Sequence, residues 1–186
     1  MRQLWALLPL LAGLQVAHAA PVAVRLFDAD QSGGQSFGRT GIAECLRGPG
    51  SLALQTITDL TLQTLAGADV LVLPDVHRLG TVTEGWQEAV RAFADAGGGV
   101  LLTHDCAGLL PPELFPDLLG LGKRHVSRSI DGLGAHVLTY GLAPFDHAFG
   151  DHRDLAPGPN AEVALTCSDG RPVVVVGRWG RGRVVQ

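Results

Sequence analysis

The stretch from Asp69 to Thr103 restricts this chain more than any other, because two aliphatic runs there flank an amphipathic segment. Asp69 to Leu73 is apolar after its first residue and closes on Pro74 and Asp75; Val100 to Thr103 is the second run. Continuous aliphatic runs that do not alternate with polar residues suit strands covered on both faces, as in a parallel sheet. Between them Val82, Trp86, Ala89, Val90 and Phe93 recur at helical spacing and fall on one face. Thr81 and Glu84 have the spacing of a capping box, which predicts a helix start there, and Gly97, Gly98 and Gly99 predict its end. A strand, helix and strand in this order predict a parallel pair joined by a right-handed crossover.

The rest of the chain extends the pattern. Val22 to Phe27 predicts a first strand ending at Asp28, and Leu52 to Thr58 a weaker one. Arg39 to Arg47 and Leu60 to Leu65 are helix candidates; Cys106 to Leu119 is another, interrupted by Pro111 and Pro112. Beyond Gly120, Lys123 to Ile130 and His136 to Tyr140 are strand candidates, while Gly141 to Asn160, rich in Pro, Gly, Asp and His, reads as irregular. Glu162 to Cys167 and Pro172 to Val176 form a hairpin across Ser168 to Gly170. Gly177 to Gly182 reads as a hairpin turn, with Trp179 over the sheet edge. The expected class is α/β, a flavodoxin-like three-layer sandwich with a mostly parallel sheet.

Residues 1–20 carry Arg2, an apolar run from Leu4 to Val16, and small residues at Ala17, Ala19 and Ala20, the three-part pattern of a secretory signal. Pro9, Gly13 and Gln15 interrupt a run shorter than the ~20 residues of a spanning helix. Export to the periplasm or the extracellular space is therefore expected, with residues 21–186 as one domain and no membrane span after cleavage. The net charge of −4, or −5 once Arg2 is removed, offers nothing to nucleic acid. Three widely spaced cysteines, Cys45, Cys106 and Cys167, cannot all be paired within one chain.

Two stretches together resemble the class I glutamine amidotransferase-like superfamily, in particular its exported, ThuA-like branch. They are Ala68 to Asp75 with the helix leading to Gly97 through Thr103, and Arg171 to Val185 near the end. The resemblance covers roughly Val22 to Val185. In the superfamily's amidotransferases and PfpI-like peptidases a cysteine sits between the central strand and the next helix, flanked by small residues; His104, Asp105, Cys106, Ala107 and Gly108 occupy that stretch here. Cys106 and Gly108 match the pattern. His104 does not, and it should crowd or relax the sharp turn of a nucleophile elbow. The resemblance also implies a His-Pro-Glu after the late strand, whereas the sequence stops at Gln186, which leaves a truncated C-terminus open.

A nucleophilic Cys106 would sit near a helix N-terminus, which lowers thiol pKa, and would need a base from His104, His136, His147 or His152. The second candidate is a polar crevice. Ligands in open α/β sheets bind at the carboxyl ends of strands, which points to Asp75, His77, His104 and Asp105, with His136, His147, Asp151 and His152 as further members. Asp28 and Asp30 follow the first strand and could join. The repeated Asp-His could supply a metal with ligands, but no His-x-His or His-x-x-x-His pattern occurs, so neither metal nor cofactor is expected.

The leading expectation is a binding or accessory domain for a small molecule or carbohydrate, the carbohydrate coming from the ThuA-like resemblance alone. The alternative is a hydrolase using Cys106 as nucleophile or a His/Asp site to activate water. Glutamine amidotransfer itself is not expected, because it needs ammonia delivered to an acceptor domain, and neither a second domain nor such a compartment is implied. Oligomeric state is not readable from the sequence.

Overall fold

The computed structural model describes residues 20–48, 50–126, 129–146 and 151–186, the side chains of 124–126 and 151–152 excepted. The expected secretory segment lies outside them. Thirteen strands are present among the described residues: β1 (Val22–Phe27), β2 (Gln35–Ser36), β3 (Leu52–Ile57), β4 (Val70–Pro74), β5 (Val76–Arg78), β6 (Gly99–Thr103), β7 (Leu121–Val126), β8 (Ser129–Leu133), β9 (Phe145–Asp146), β10 (Asp151–Leu155), β11 (Ala161–Cys167), β12 (Pro172–Trp179) and β13 (Gly182–Val185). The helices are α1 (Arg39–Arg47), α2 (Leu62–Leu65), α3 (Trp86–Asp95) and α4 (Pro111–Leu114).

Nine strands form one sheet in the order β3-β1-β4-β6-β13-β12-β11-β8-β9. The sheet is mixed. From β3 to β13 every pairing is parallel, and from β13 onward every pairing is antiparallel. Numbered among themselves along the chain, the five parallel strands run second, first, third, fourth, fifth, the flavodoxin-like order. The sheet packs α1 on one face, where Val24, Leu26, Ala43 and Val72 meet. On the other face α2 and α3 join Leu71, Leu73, Val100 and Leu102 in the main core. This is the expected three-layer α/β arrangement. Each fully buried leucine there contributes roughly 2 kcal/mol.

Several local signals resolve differently from their sequence reading. Helix α3 starts at Trp86 behind Gly85, which takes a left-handed φ of 81°. Thr81 does not cap it, because its N–H and hydroxyl both donate to the Ser32 carbonyl across the loops. The helix expected after Cys106 is reduced to a 3-10 turn at Ala107–Leu109 and the single turn of α4. Leu110 between them sits at φ 48°, pushed from helical geometry by the proline that follows. Residues 137–139 form a 3-10 turn in place of a strand. The region read as irregular contains β9 and β10, the latter paired with β7. Both late hairpins are present as expected. Trp179 ends β12, an inner strand, where it is partly buried and packs edge-on against Phe115 at 5.5 Å.

Candidate functional site

The carboxyl ends of β4 and β6 lie side by side, so the residues that leave those strands meet. Asp75 follows β4 with φ 29°, and its N–H donates to the Thr103 hydroxyl at 3.0 Å, tying the two strand ends together. The chain then turns into β5, which pairs with β2 and carries His77. His104 follows β6 with φ 58°; its carbonyl accepts from the Gln186 carboxamide at 3.0 Å. Left-handed angles at non-glycine residues cost on the order of 1–3 kcal/mol each and cluster where a site needs its side chains aimed.

Asp75, His77, His104 and Asp105 each present one donor atom, all within 4.8 Å of one another. Asp75 Oδ1 lies 3.1 Å from His77 Nε2 and 3.2 Å from His104 Nδ1. His104 Nδ1 also meets Asp105 Oδ1 at 3.3 Å. The imidazoles keep 37% and 33% of their side-chain surface in solvent, so the cluster is reachable. Asp75 raises the pKa of His104 above 6.5; partial burial opposes this and Asp105 adds to it. Burial pushes Asp105 upward, but His104 and Arg153 outweigh it and hold its carboxyl below 3.8.

Three contributors escaped the sequence reading. Arg153 of β10 donates from Nε to Asp105 Oδ2 at 2.8 Å. Phe37, half-exposed at 50%, packs edge-on against His77 at 4.9 Å. Gln186 is buried and holds the His104 backbone. Strand alternation is the one signal that could have separated Arg153 from its neighbours His152 and Asp154. Nothing local marks Phe37 or Gln186.

Cys106 is placed as a buried thiol. It has no exposed surface, and Sγ contacts the carbonyls of Thr103 at 3.1 Å and Leu73 at 3.3 Å. Burial pushes its pKa up to about 12, and no helix longer than a turn follows it to reverse that. Its backbone still bends sharply, with φ 43°. Gly108 is needed two residues on, because a Cβ there would collide with the His77 carbonyl oxygen. His104 fits the other flank by adopting the left-handed angle and sending its ring into the crevice.

Among the other described candidates, His136, Asp28 and Asp30 stand apart from this cluster. His136 caps its own 3-10 turn, its Nδ1 accepting from the Leu138 N–H at 3.1 Å, and lines a separate groove with Glu162, Arg178 and Arg183. Asp28 is fully buried and ion-paired with Arg39, which also approaches Asp30 at 3.7 Å. Asp151 and His152 lie on β10, their side chains outside the described residues, and His147 lies outside them altogether.

The chain matches no family model and no curated protein in sequence. Solved structures do match. A ThuA-like protein from Bacteroides uniformis superposes with a TM-score of 0.65 at 16% identity, over 90% of this chain and 82% of that one. A GMP synthase-like protein from Thermoplasma acidophilum gives 0.59 at 13%, over 91% and 84%. The three-layer α/β fold is common to these proteins. A β-galactosidase from Rahnella sp. R3 contains the same fold, at 0.63 and 19% identity, over 89% of this chain but 28% of that one. At these identities the architecture is what is shared. Among the described residues no helix is long and apolar enough to cross a membrane.

Proposed function

We propose that this chain is an exported glutamine amidotransferase-like domain of the ThuA-like branch. In this reading it has no glutaminase activity and binds a small-molecule or carbohydrate ligand in the crevice of Asp75, His77, His104 and Asp105. The observation that carries the reading is the contrast inside the elbow. The sulfur of Cys106 is buried beneath two carbonyls, while the residues around it gather four polar side chains of which the two imidazoles reach solvent. A thiolate nucleophile needs access and a depressed pKa, and neither is present. The half-exposed ring of Phe37 beside carboxylates and imidazoles supports a sugar, whose C–H face packs on an aromatic while its hydroxyls take hydrogen bonds. The fold's occurrence within a β-galactosidase is a further reason to try sugars first.

The test is a panel of mono- and oligosaccharides scored by thermal shift and by titration calorimetry. Binding that Phe37→Ala and Asp75→Asn both weaken by ~10-fold or more, the size of a lost anchor contact, supports the reading. Binding that neither variant changes, or the absence of any binding across the panel, overturns it. A second reading, a hydrolase in which the His/Asp group activates water, draws on the raised pKa of His104 between two carboxylates. Turnover of chromogenic esters or glycosides that His104→Gln abolishes and Cys106→Ser leaves intact would select it.

A further inference from the structure

We propose that Asp75, His77, His104 and Asp105 bind one divalent transition-metal ion of the zinc class. The inference rests on the crevice being the site and adds an occupant that its sequence pattern conceals. Two imidazole nitrogens and two carboxylate oxygens are a borderline donor set, suited to Zn²⁺ and its neighbours and poor for Ca²⁺ or Mg²⁺. Donors at ~2.0–2.1 Å from a tetrahedral ion stand about 3.3 Å apart. The three close donor pairs here are 3.1, 3.2 and 3.3 Å apart, and the whole set fits within 4.8 Å.

Those separations would equally suit ordinary hydrogen bonds, so direction decides. Asp75 Oδ1 is shielded from solvent and accepts no hydrogen bond, although two imidazole nitrogens touch it. A buried carboxylate oxygen left without a partner is destabilising, and a shared cation would offset that cost. Charge agrees: two carboxylates face one guanidinium, leaving a net negative crevice when the imidazoles are neutral.

The surroundings hold the donors as ligands are held. Arg153 engages Oδ2 of Asp105 and leaves Oδ1 toward the histidine. Thr103 fixes the backbone of Asp75, and Gln186 that of His104. Such outer partners orient ligands and raise affinity by ~10–100-fold. The sequence hides the set because its two histidines stand on different segments, one on β5 beyond β4 and one just after β6, and meet only through the pairing of β4 with β6.

The purified chain, stripped with a chelator, would be titrated with Zn²⁺ by calorimetry and loaded with Co²⁺ for visible spectroscopy. One ion per chain with micromolar or tighter affinity, and Co²⁺ bands of a four-coordinate nitrogen and oxygen site, are expected. His77→Gln and His104→Gln should each weaken binding at least ~10-fold. Asp75→Asn, which tolerates the left-handed backbone, should do the same if either histidine variant fails to fold, and His136→Gln should change nothing. Absence of stoichiometric binding overturns the proposal, as does affinity that folded variants at all three positions leave untouched. Running the sugar panel on stripped and Zn²⁺-loaded protein separates the two ideas. Sugar binding without metal binding overturns only the metal site, whereas metal binding without any sugar overturns only the ligand proposed above.

Discussion

The parallel and antiparallel halves of the sheet use the same kinds of residue to different ends. From β3 to β13 helices cover both faces, and the strands release their chains on one side, so Asp75, His104 and Gln186 arrive at a common edge. From β12 to β9 the strands alternate in direction and their loops are shared between two edges. That half is only half-buried, and it carries the exposed apolar segment with Val137 at 81% and Tyr140 at 92%. Parallel pairing thus does two things at once here: it makes the core and it concentrates polar groups.

The comparison breaks most readily at the core. Leu73→Ala, at a fully buried position of β4, should cost ~3 kcal/mol in denaturant unfolding. Leu142→Ala in the antiparallel half, already 46% exposed, should stay within ~0.5 kcal/mol. Equal losses would mean that Leu142 is packed as tightly as Leu73.

Close approach gives the next effect. Gly108→Ala must move backbone, because its Cβ meets the His77 carbonyl, and should cost ~2 kcal/mol. Gly170→Ala in the β11–β12 turn meets no atom within 4 Å and carries only the strain of φ 83°, ~1 kcal/mol. A reversed order would show that the elbow relaxes freely.

Thiol chemistry sharpens the contrast further. A thiol reagent should modify exposed Cys45 quickly and leave buried Cys106 and Cys167 protected until the chain unfolds. Because the folded thiol of Cys106 holds its proton to about 12 and the unfolded one releases it near 9.0, its contribution is complete below pH 9 and declines as pH rises above it. Cys106→Ala should flatten that alkaline limb relative to the parent. An identical limb in both proteins would show that the sulfur is not buried in solution.

The smallest effect is at acid pH. Burial raises the Asp59 carboxyl, but donors from Thr83 and Leu60 bring it below 3.8. Its contribution is present above 3.8 and fades as pH falls through the lower folded value. Asp59→Asn should shallow the acid limb of a melting-temperature profile slightly, and a steeper limb would contradict the assignment.

What could be read from the sequence follows the same division. β1, β4 and β6 are legible because strands buried on both faces must be aliphatic throughout, and Asp75, His77, His104 and Asp105 are legible as residues that leave such strands. α1 is found at its predicted bounds. The 3-10 turn at Val137–Thr139 and the strands of the 141–160 region are not, since half-buried segments tolerate mixed composition and take their form from neighbours. Thr81 shows a local cap signal overruled by a distant carbonyl at Ser32. Arg153 reaches Asp105 across 48 positions, a relation no window of sequence contains.

Gly108 keeps its space for the backbone of His77, whatever the sulfur two residues earlier does. A glycine at such a bend is therefore required by shape alone, whether or not any reaction takes place beside it. In a fold of this kind a motif search at the elbow measures ancestry and steric need, and the orientation of the sulfur has to be determined separately for each member.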